Sequence, residues 1–378
     1  MANLTVLQIL PALDSGGVER ATLEVAGELV RQGHRSLVIS AGGSMVEALE
    51  RGGTRHVAWP IGRKSLSTLR LVARLRRLLH DEQVDIVHAR SRLPAWIAYL
   101  AWRGMDPASR PRFVTTVHGF YSVGRYSAVM TRGERVIAAS ESIRDYVTAS
   151  YPRVDAGNIV VIPPGVDRRV YSYGYRPGPS WQDRWSQEFP QLSGRYLVTL
   201  PGRVTRMKGH EDLVDIIGLL LDRGLPVHGM VVGGARKRRR RFLDGLEDKI
   251  RGMGLEERIT FTGPRGDLRE ILAVSDVVLS LSRYPEAFGR TTLEALSLGR
   301  PVCGYDHGGV AKQLAIVFPE GRVPVGDWRA AAGRIAEWYR SPPSVAAEHP
   351  FTLERMLSDV IDVYQELAAG RTASPAIL

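Results

Sequence analysis

From residue 4 to about residue 151, short apolar runs alternate with amphipathic stretches, the pattern of a parallel sheet covered by helices. The runs at 4–10, 36–40, 84–88, 113–117 and 134–139 predict strands, and the spacing at 18–32 and 69–80 predicts helices. This first doubly wound domain ends near Asp167 and is assigned residues 1–170. Residues 171–194, "YSYGYRPGPSWQDRWSQEFPQLSG", are rich in Tyr, Pro, Trp and Gly without clear periodicity and read as a linker with some local packing. The alternation then restarts, with strands expected at 196–200, 228–232, 259–262, 277–281 and 301–305 and helices at 212–223, 241–251, 268–273 and 291–298. The expected fold class is thus α/β, two doubly wound Rossmann-like domains facing across a cleft, where ligands bind beyond the carboxyl ends of the strands.

Composition narrows the class further. A chain of 378 residues exceeds one ordinary core of roughly 100–200 residues, and 44% hydrophobic with 24% charged residues excludes a disordered chain. The single cysteine, Cys303, excludes an intramolecular disulfide and argues against a cysteine-based metal site, which fits a reducing compartment. The first residues lack a basic leader and their apolar run stops at Pro11, so they read as a strand and not a signal peptide. The longest apolar run, 94–102, is about half of the roughly 18–20 residues of a membrane span. A formal net charge of +11 predicts an anionic partner: nucleic acid, a phospholipid surface or phosphorylated substrates.

Three segments carry candidate chemistry. Asp14-Ser15-Gly16-Gly17-Val18 follows the first strand and opens a helix, so the glycines Gly16 and Gly17 let backbone amides approach a diphosphate; an ordinary strand-to-helix turn has equal weight. It is not a G-x-G-x-x-G fingerprint, and no P-loop occurs. In Pro201-Gly202-Arg203-Val204-Thr205-Arg206-Met207-Lys208-Gly209, the cations Arg203 and Lys208 stand just past a strand end, where they neutralise a departing diphosphate or form a solvated basic loop. In 284–294, Glu286 and Glu294 form an E-x7-E pair that on one helix spans about 12 Å, too far for a retaining glycosidase pair at about 5–5.5 Å. They suit two grips on one extended ligand, while the amides around Phe288, Gly289, Arg290 and Thr291 face a phosphate; a surface loop with a helical salt bridge is the alternative.

Taken in order, "DSGGVERA", "TVHG" at 116–119, "VIPPGVD" at 161–167, "PGRVTRMKG" and "EAFGRTTLEAL" resemble the retaining glycosyltransferases of family 4, which have the GT-B fold. Residues 85–99, "DIVHARSRLPAWIAY", look like bacterial members that build lipopolysaccharide core or related envelope glycans. The resemblance implies that Arg203 and Lys208 hold the nucleotide diphosphate, Glu286 contacts donor-sugar hydroxyls and Glu294 binds the ribose. It implies that Gly16 and Gly17 lie against the donor phosphates and sugar, and that His118 lines the reaction centre, although His118 also reads as a buried core histidine. It makes 1–170 the acceptor side, 195–350 the nucleotide-sugar domain, and 351–378 a helix returning to the first domain followed by a tail; apolar positions at Leu353, Met356, Leu357, Val360, Val363 and Leu367 suit such a helix. One departure is Lys312, three positions after Gly308-Gly309, where relatives often carry an acid.

The implied activity is metal-independent transfer of a hexose, with UDP-glucose the favoured donor, onto a lipopolysaccharide core or other envelope glycan. No cofactor is expected, because the nucleotide sugar is a substrate. Alternatives are an exopolysaccharide or other glycolipid transferase, a sugar-nucleotide 2-epimerase, and a non-catalytic anion- or nucleic-acid-binding protein. The expected location is cytoplasmic, peripheral on the inner face of the cytoplasmic membrane. Arginines 70, 74, 76 and 77 beside leucines 71, 75, 78 and 79 fit a membrane-surface helix or leucines packed on the sheet beneath a solvated face. The basic run 236–241 suits anionic lipid, a phosphorylated acceptor or plain solvation.

Overall fold

Thirteen strands form two separate parallel sheets in a computed structural model that describes residues 3–14, 16–234 and 240–372. The first comprises β1 (Thr5–Ile9), β2 (Arg35–Ser40), β3 (Arg55–Ala58), β4 (Ile86–Ala89), β5 (Arg112–Val117), β6 (Arg135–Ala138) and β7 (Ile159–Val161), in the order β3-β2-β1-β4-β5-β6-β7. The central strands are buried along almost their whole length, as expected for a sheet with helices on both faces. Strand order reverses between β1 and β4, so the switch point of this unit lies there. Edge strand β3, half-exposed and without alternation, escaped the sequence reading.

The second sheet comprises β8 (Tyr196–Pro201), β9 (Val227–Val232), β10 (Ile259–Gly263), β11 (Val277–Ser280), β12 (Val302–Tyr305) and β13 (Arg322–Val323), ordered β10-β9-β8-β11-β12-β13. Its switch point lies between β8 and β11. The chain divides into unit 1, Met1–Gly165 with Leu353–Leu378, and unit 2, Val166–Thr352.

One sequence expectation changes and one open alternative is resolved. Residues 171–194 are not a linker: they belong to unit 2 and contain a helix at Pro179–Glu188. Trp181, Trp185 and Phe189 recur every four residues, so one helix face stacks them (5.0 and 4.6 Å between successive ring centroids) against Leu192, Leu197, Met230, Val232 and Ile271. On the basic helix Arg70–Asp81, Leu71, Leu75 and Leu79 are buried, so they pack inward and only the arginine face is outward. The apolar run 94–102 lies in the helix Arg92–Arg103, with Ile97, Ala98, Ala101 and Trp102 buried; among the described residues no helix is long and apolar enough to cross a membrane. Most of the basic run 236–241 lies outside the described residues.

The helix Leu353–Thr372 belongs to unit 1. Met356, Leu357, Val360, Ile361, Val363 and Tyr364 enter one buried cluster with Leu4, Val6, Val25, Leu29, Ile86, Val114, Ile137 and Ile162.

Candidate functional site

The unit 2 switch point assembles residues from three loops. After β8, the chain turns through Arg206–Lys208 into the helix His210–Asp222. After β11, residues 281–289 lead into the helix Arg290–Ser297, whose cap Gly289 is left-handed (φ 89°). A side chain there is strained by the backbone alone, and a Cβ stands 2.6 Å from Val310 Cγ2, so glycine alone is accommodated. After β12, His307 caps the helix Gly308–Val317.

Lys208 Nζ donates to Glu286 Oε1 (2.6 Å), and the Ser282 hydroxyl donates to the same oxygen. His307 Nε2 in turn donates to the Ser282 carbonyl (2.6 Å), while the Gly309 amide donates to the Glu286 carbonyl (2.7 Å). The Gly309 approach is close enough that a Cβ would sit 2.4 Å from the Ala287 carbonyl oxygen, which explains this glycine by packing. Burial pushes the Glu286 carboxyl up, but the Lys208 ammonium, the two side-chain hydrogen bonds and the charge at His307 together hold it below the usual range. The carboxylate is therefore ionised and already engaged.

A second network fixes these loops. Fully buried Asp212 accepts the Tyr305 hydroxyl (2.7 Å) and pairs with the Arg283 guanidinium. The Arg283 amide donates to the Met207 carbonyl (2.8 Å), tying the lysine loop to the glutamate loop.

A cavity of about 30 Å3 at the ends of β8 and β11 is lined by Lys208, Ser282, Glu286, Gly289 and Thr291, among others. Four of the sequence-derived residues thus meet there. Arg203 is exposed on the loop after β8, and Arg290 begins the helix outside the cavity walls. Glu294 is buried on that helix (5% exposed), whereas Glu286 lies in the preceding loop, so the two glutamates do not share one helix. The Phe288 ring is core, edge-on to Phe351 at 5.7 Å, so only its backbone, the part the sequence reading assigned to a phosphate, is available to a ligand. Lys312 is exposed on Gly308–Val317.

In unit 1, Gly16 caps the helix Gly17–Arg31 in extended conformation and both glycines are exposed, while Ser15 lies outside the described residues. His118 follows β5, half-buried, and lines a cavity of about 30 Å3 with His88, Arg90 and Thr116. Sequence reading missed Ser282, His307 and Arg90. Each stands just past a strand end, which was the one available signal.

Two family models match the chain, one in each half. The family model described as Glycosyltransferase Family 4 matches residues 15–170, and the one described as Glycosyl transferases group 1 matches residues 182–349. The chain is 27% identical over 263 residues to D-inositol 3-phosphate glycosyltransferase of Gordonia bronchialis, covering 64% of this chain and 55% of the relative. It spans about half the length of the curated relatives it matches. A solved glycosyltransferase from Rickettsia africae ESF-5 superposes with a TM-score of 0.85 at 28% identity, covering 97% of this chain and 99% of that one. Anabaena HepE, solved with UDP, shares the fold with a TM-score of 0.81 at 22% identity over 96% of this chain and 100% of its own.

Proposed function

The chain belongs to glycosyltransferase family 4, and from that membership we propose that it transfers a hexose from a nucleoside diphosphate donor to a glycan hydroxyl with retention of configuration. The observation that carries this reading is the Lys208–Glu286 pair at the unit 2 switch point, beside the helix opened by Gly289. Ligand-free, the ammonium is neutralised by the carboxylate. An arriving diphosphate takes over Lys208 as its point charge, with Arg203 adding a fork-like contact, and frees Glu286 to accept hydrogen bonds from sugar hydroxyls. The two cations and the helix N-terminus then stabilise the charge that grows as the bond from sugar C1 to the phosphate oxygen breaks. No metal enters this scheme. The acceptor oxygen bonds C1 on the same face, and the departing phosphate takes its proton. Glu294 is assigned the ribose, Gly16 and Gly17 the donor phosphates and sugar, and His118 the surroundings of the transferred sugar, as the family resemblance implies.

UDP-glucose is the favoured donor, supported by the likeness to HepE, which has been solved with UDP-glucose. The favoured acceptor is a lipopolysaccharide core or other envelope glycan, supported by residues 85–99 and by the net charge of +11. The test is a thermal-shift panel of UDP-, GDP-, ADP- and dTDP-sugars on the wild type and Glu294→Ala. One base type is expected to raise Tm by mass action, by about 2.7 kcal/mol of stabilisation at a hundredfold excess over Kd, and the variant to lose most of that gain. Stabilisation by none of the four would overturn the donor assignment.

Peripheral membrane attachment belongs to the same proposal. Leu66 and Leu69 are 86% and 53% exposed, amid exposed Arg63, Lys64 and Arg70. Apolar side chains within a cationic rim suit the boundary of an anionic bilayer. Vesicles containing phosphatidylglycerol should co-sediment the protein, and Leu66→Asp with Leu69→Asp should weaken binding at least tenfold; equal binding to pure phosphatidylcholine would refute the surface.

A further inference from the structure

A buried polar cluster lies at the switch point of unit 1. Gln8 on β1, His88 on β4 and Tyr364 on Leu353–Thr372 are completely buried, Thr116 on β5 is 4% exposed, and Arg90, one residue past β4, is 3% exposed. The hydrogen bonds of the cluster are nearly complete. His88 Nδ1 pairs with the Tyr364 hydroxyl (2.6 Å) and Nε2 with Thr116 Oγ1 (2.6 Å). Arg90 Nε donates to Gln8 Oε1 (2.8 Å), whose amide donates to the Thr22 carbonyl (3.1 Å). The Tyr364 hydroxyl also interacts with the guanidinium.

One donor remains. Arg90 Nη2 is buried and has no hydrogen-bond partner among the described residues, and its side chain lines the cavity of about 30 Å3 shared with His118. The carboxylate whose charge reaches it, Glu24, is paired with Arg20 (3.2 Å). Neighbouring His88 is neither a counter-charge nor a second cation: burial first, then the charge of Arg90, disfavours its protonated form. A guanidinium does not escape the problem by deprotonating. Burying it without a counter-charge is costly, and a methionine of similar length would fill the space more cheaply. The arrangement makes sense when a ligand supplies the missing charge, at the point between β1 and β4 where doubly wound sheets bind ligands.

We infer that Arg90 is an anion-recognising residue of unit 1, its Nη2 receiving one oxygen of a carboxylate or phosphate group carried by the acceptor. The cavity has about the volume of one water molecule, so it takes a single terminal oxygen while the rest of the group stays outside. Assigning the anion to the acceptor rests on the transferase reading, in which Lys208 and Arg203 of unit 2 supply the positive charge for the donor diphosphate and Gly16 and Gly17 of unit 1 offer it backbone amides alone.

The test is calorimetric titration of the full-length protein at constant ionic strength, with and without UDP, using glucose, glucuronic acid, glucose 6-phosphate and inorganic phosphate as probes. The wild type should bind at least one of the two anionic sugars saturably and glucose at least tenfold more weakly. Arg90→Met should abolish that preference while leaving the Kd for UDP within about twofold. Arg90→Lys, which keeps the charge without the fork, should weaken binding of the anionic sugar about tenfold, and it serves as the test if the methionine variant does not fold. No anion response in the wild type means that the cavity holds water only and overturns the inference, as does an equal response in Arg90→Met. Inorganic phosphate binding as tightly as glucose 6-phosphate overturns the assignment to the acceptor. The donor reading is judged separately: UDP binding without an anion response sinks only this site, and an Arg90-dependent anion response without UDP binding sinks only the donor assignment.

Discussion

Replacing Lys208 with alanine should lower release of nucleoside diphosphate from the donor by about 10²–10³-fold, the usual cost of removing one preorganised charge-stabilising group. The effect is large because two functions are lost. The diphosphate loses a point charge, and Glu286 loses the ammonium 2.6 Å away that opposes the effect of its burial. Without that cation the carboxyl pKa rises, so the acid limb of the variant's residual activity should shift to higher pH than in the wild type. Glu286→Gln alone should also cost at least tenfold. The double variant should be less impaired than the product of the two single effects, since the groups act as one unit. A folded Lys208→Ala protein that keeps a third of wild-type turnover, with an unmoved pH profile, would remove the pair from the mechanism. Lys208→Arg is not expected to restore it fully, because a planar fork does not replace a compact ammonium held between Glu286 and a phosphate.

Lys208 and Glu286 were legible in the sequence because local rules place them. Each follows a run of β-prone residues and precedes a glycine that opens a helix, Gly209 and Gly289, so the loop position is set by a few neighbouring residues. That the two loops meet is set by strand order, with β8 beside β11, and local spacing says nothing about it. The support around Glu286 was illegible for the same reason. Ser282 and His307 each lie within two residues of the end of an apolar run, and nothing local links them to Glu286 until three strand ends stand together.

Residues 171–194 show a different failure. Three prolines, three glycines, three tyrosines and a single aliphatic residue, Leu192, suppress the helix signal, yet Trp181, Trp185 and Phe189 keep a four-residue period. The helix survives because Pro179 sits in its first turn, where proline costs no hydrogen bond, and because the aromatic face is buried. The basic helix left two readings open, and the structure takes the second, leucines packed beneath a solvated face. Its arginines made a membrane face plausible, but Leu71, Leu75 and Leu79 all point inward, leaving the exposed leucines of the preceding turn, Leu66 and Leu69, as the apolar part of any lipid contact.

Ending the chain after Thr352 should abolish cooperative folding of unit 1, although every strand of its sheet is retained. The helix Leu353–Thr372 buries Met356, Leu357, Val360, Ile361, Val363 and Tyr364 against strands β1, β4, β5 and β6 and the helix Gly17–Arg31. At about 1.5–3 kcal/mol for each large side chain, the loss is on the order of 10 kcal/mol, comparable with the whole stability of a domain. Truncation also strips Tyr364 from buried His88 and the Leu367 carbonyl from half-buried Arg112, which donates to it (3.1 Å), so each keeps only its other partner, Thr116 and Glu134 respectively. Differential scanning calorimetry should show the unit 2 transition without that of unit 1, together with dye-accessible apolar surface. Tyr364→Phe separates the two contributions: it keeps the ring, removes only the hydroxyl shared by His88 and Arg90, and should lower stability by about 1–3 kcal/mol while leaving a cooperative transition. A truncated protein that melts as two cooperative units near the wild-type temperatures would show that the returning helix is an attachment to unit 1 and not part of its core.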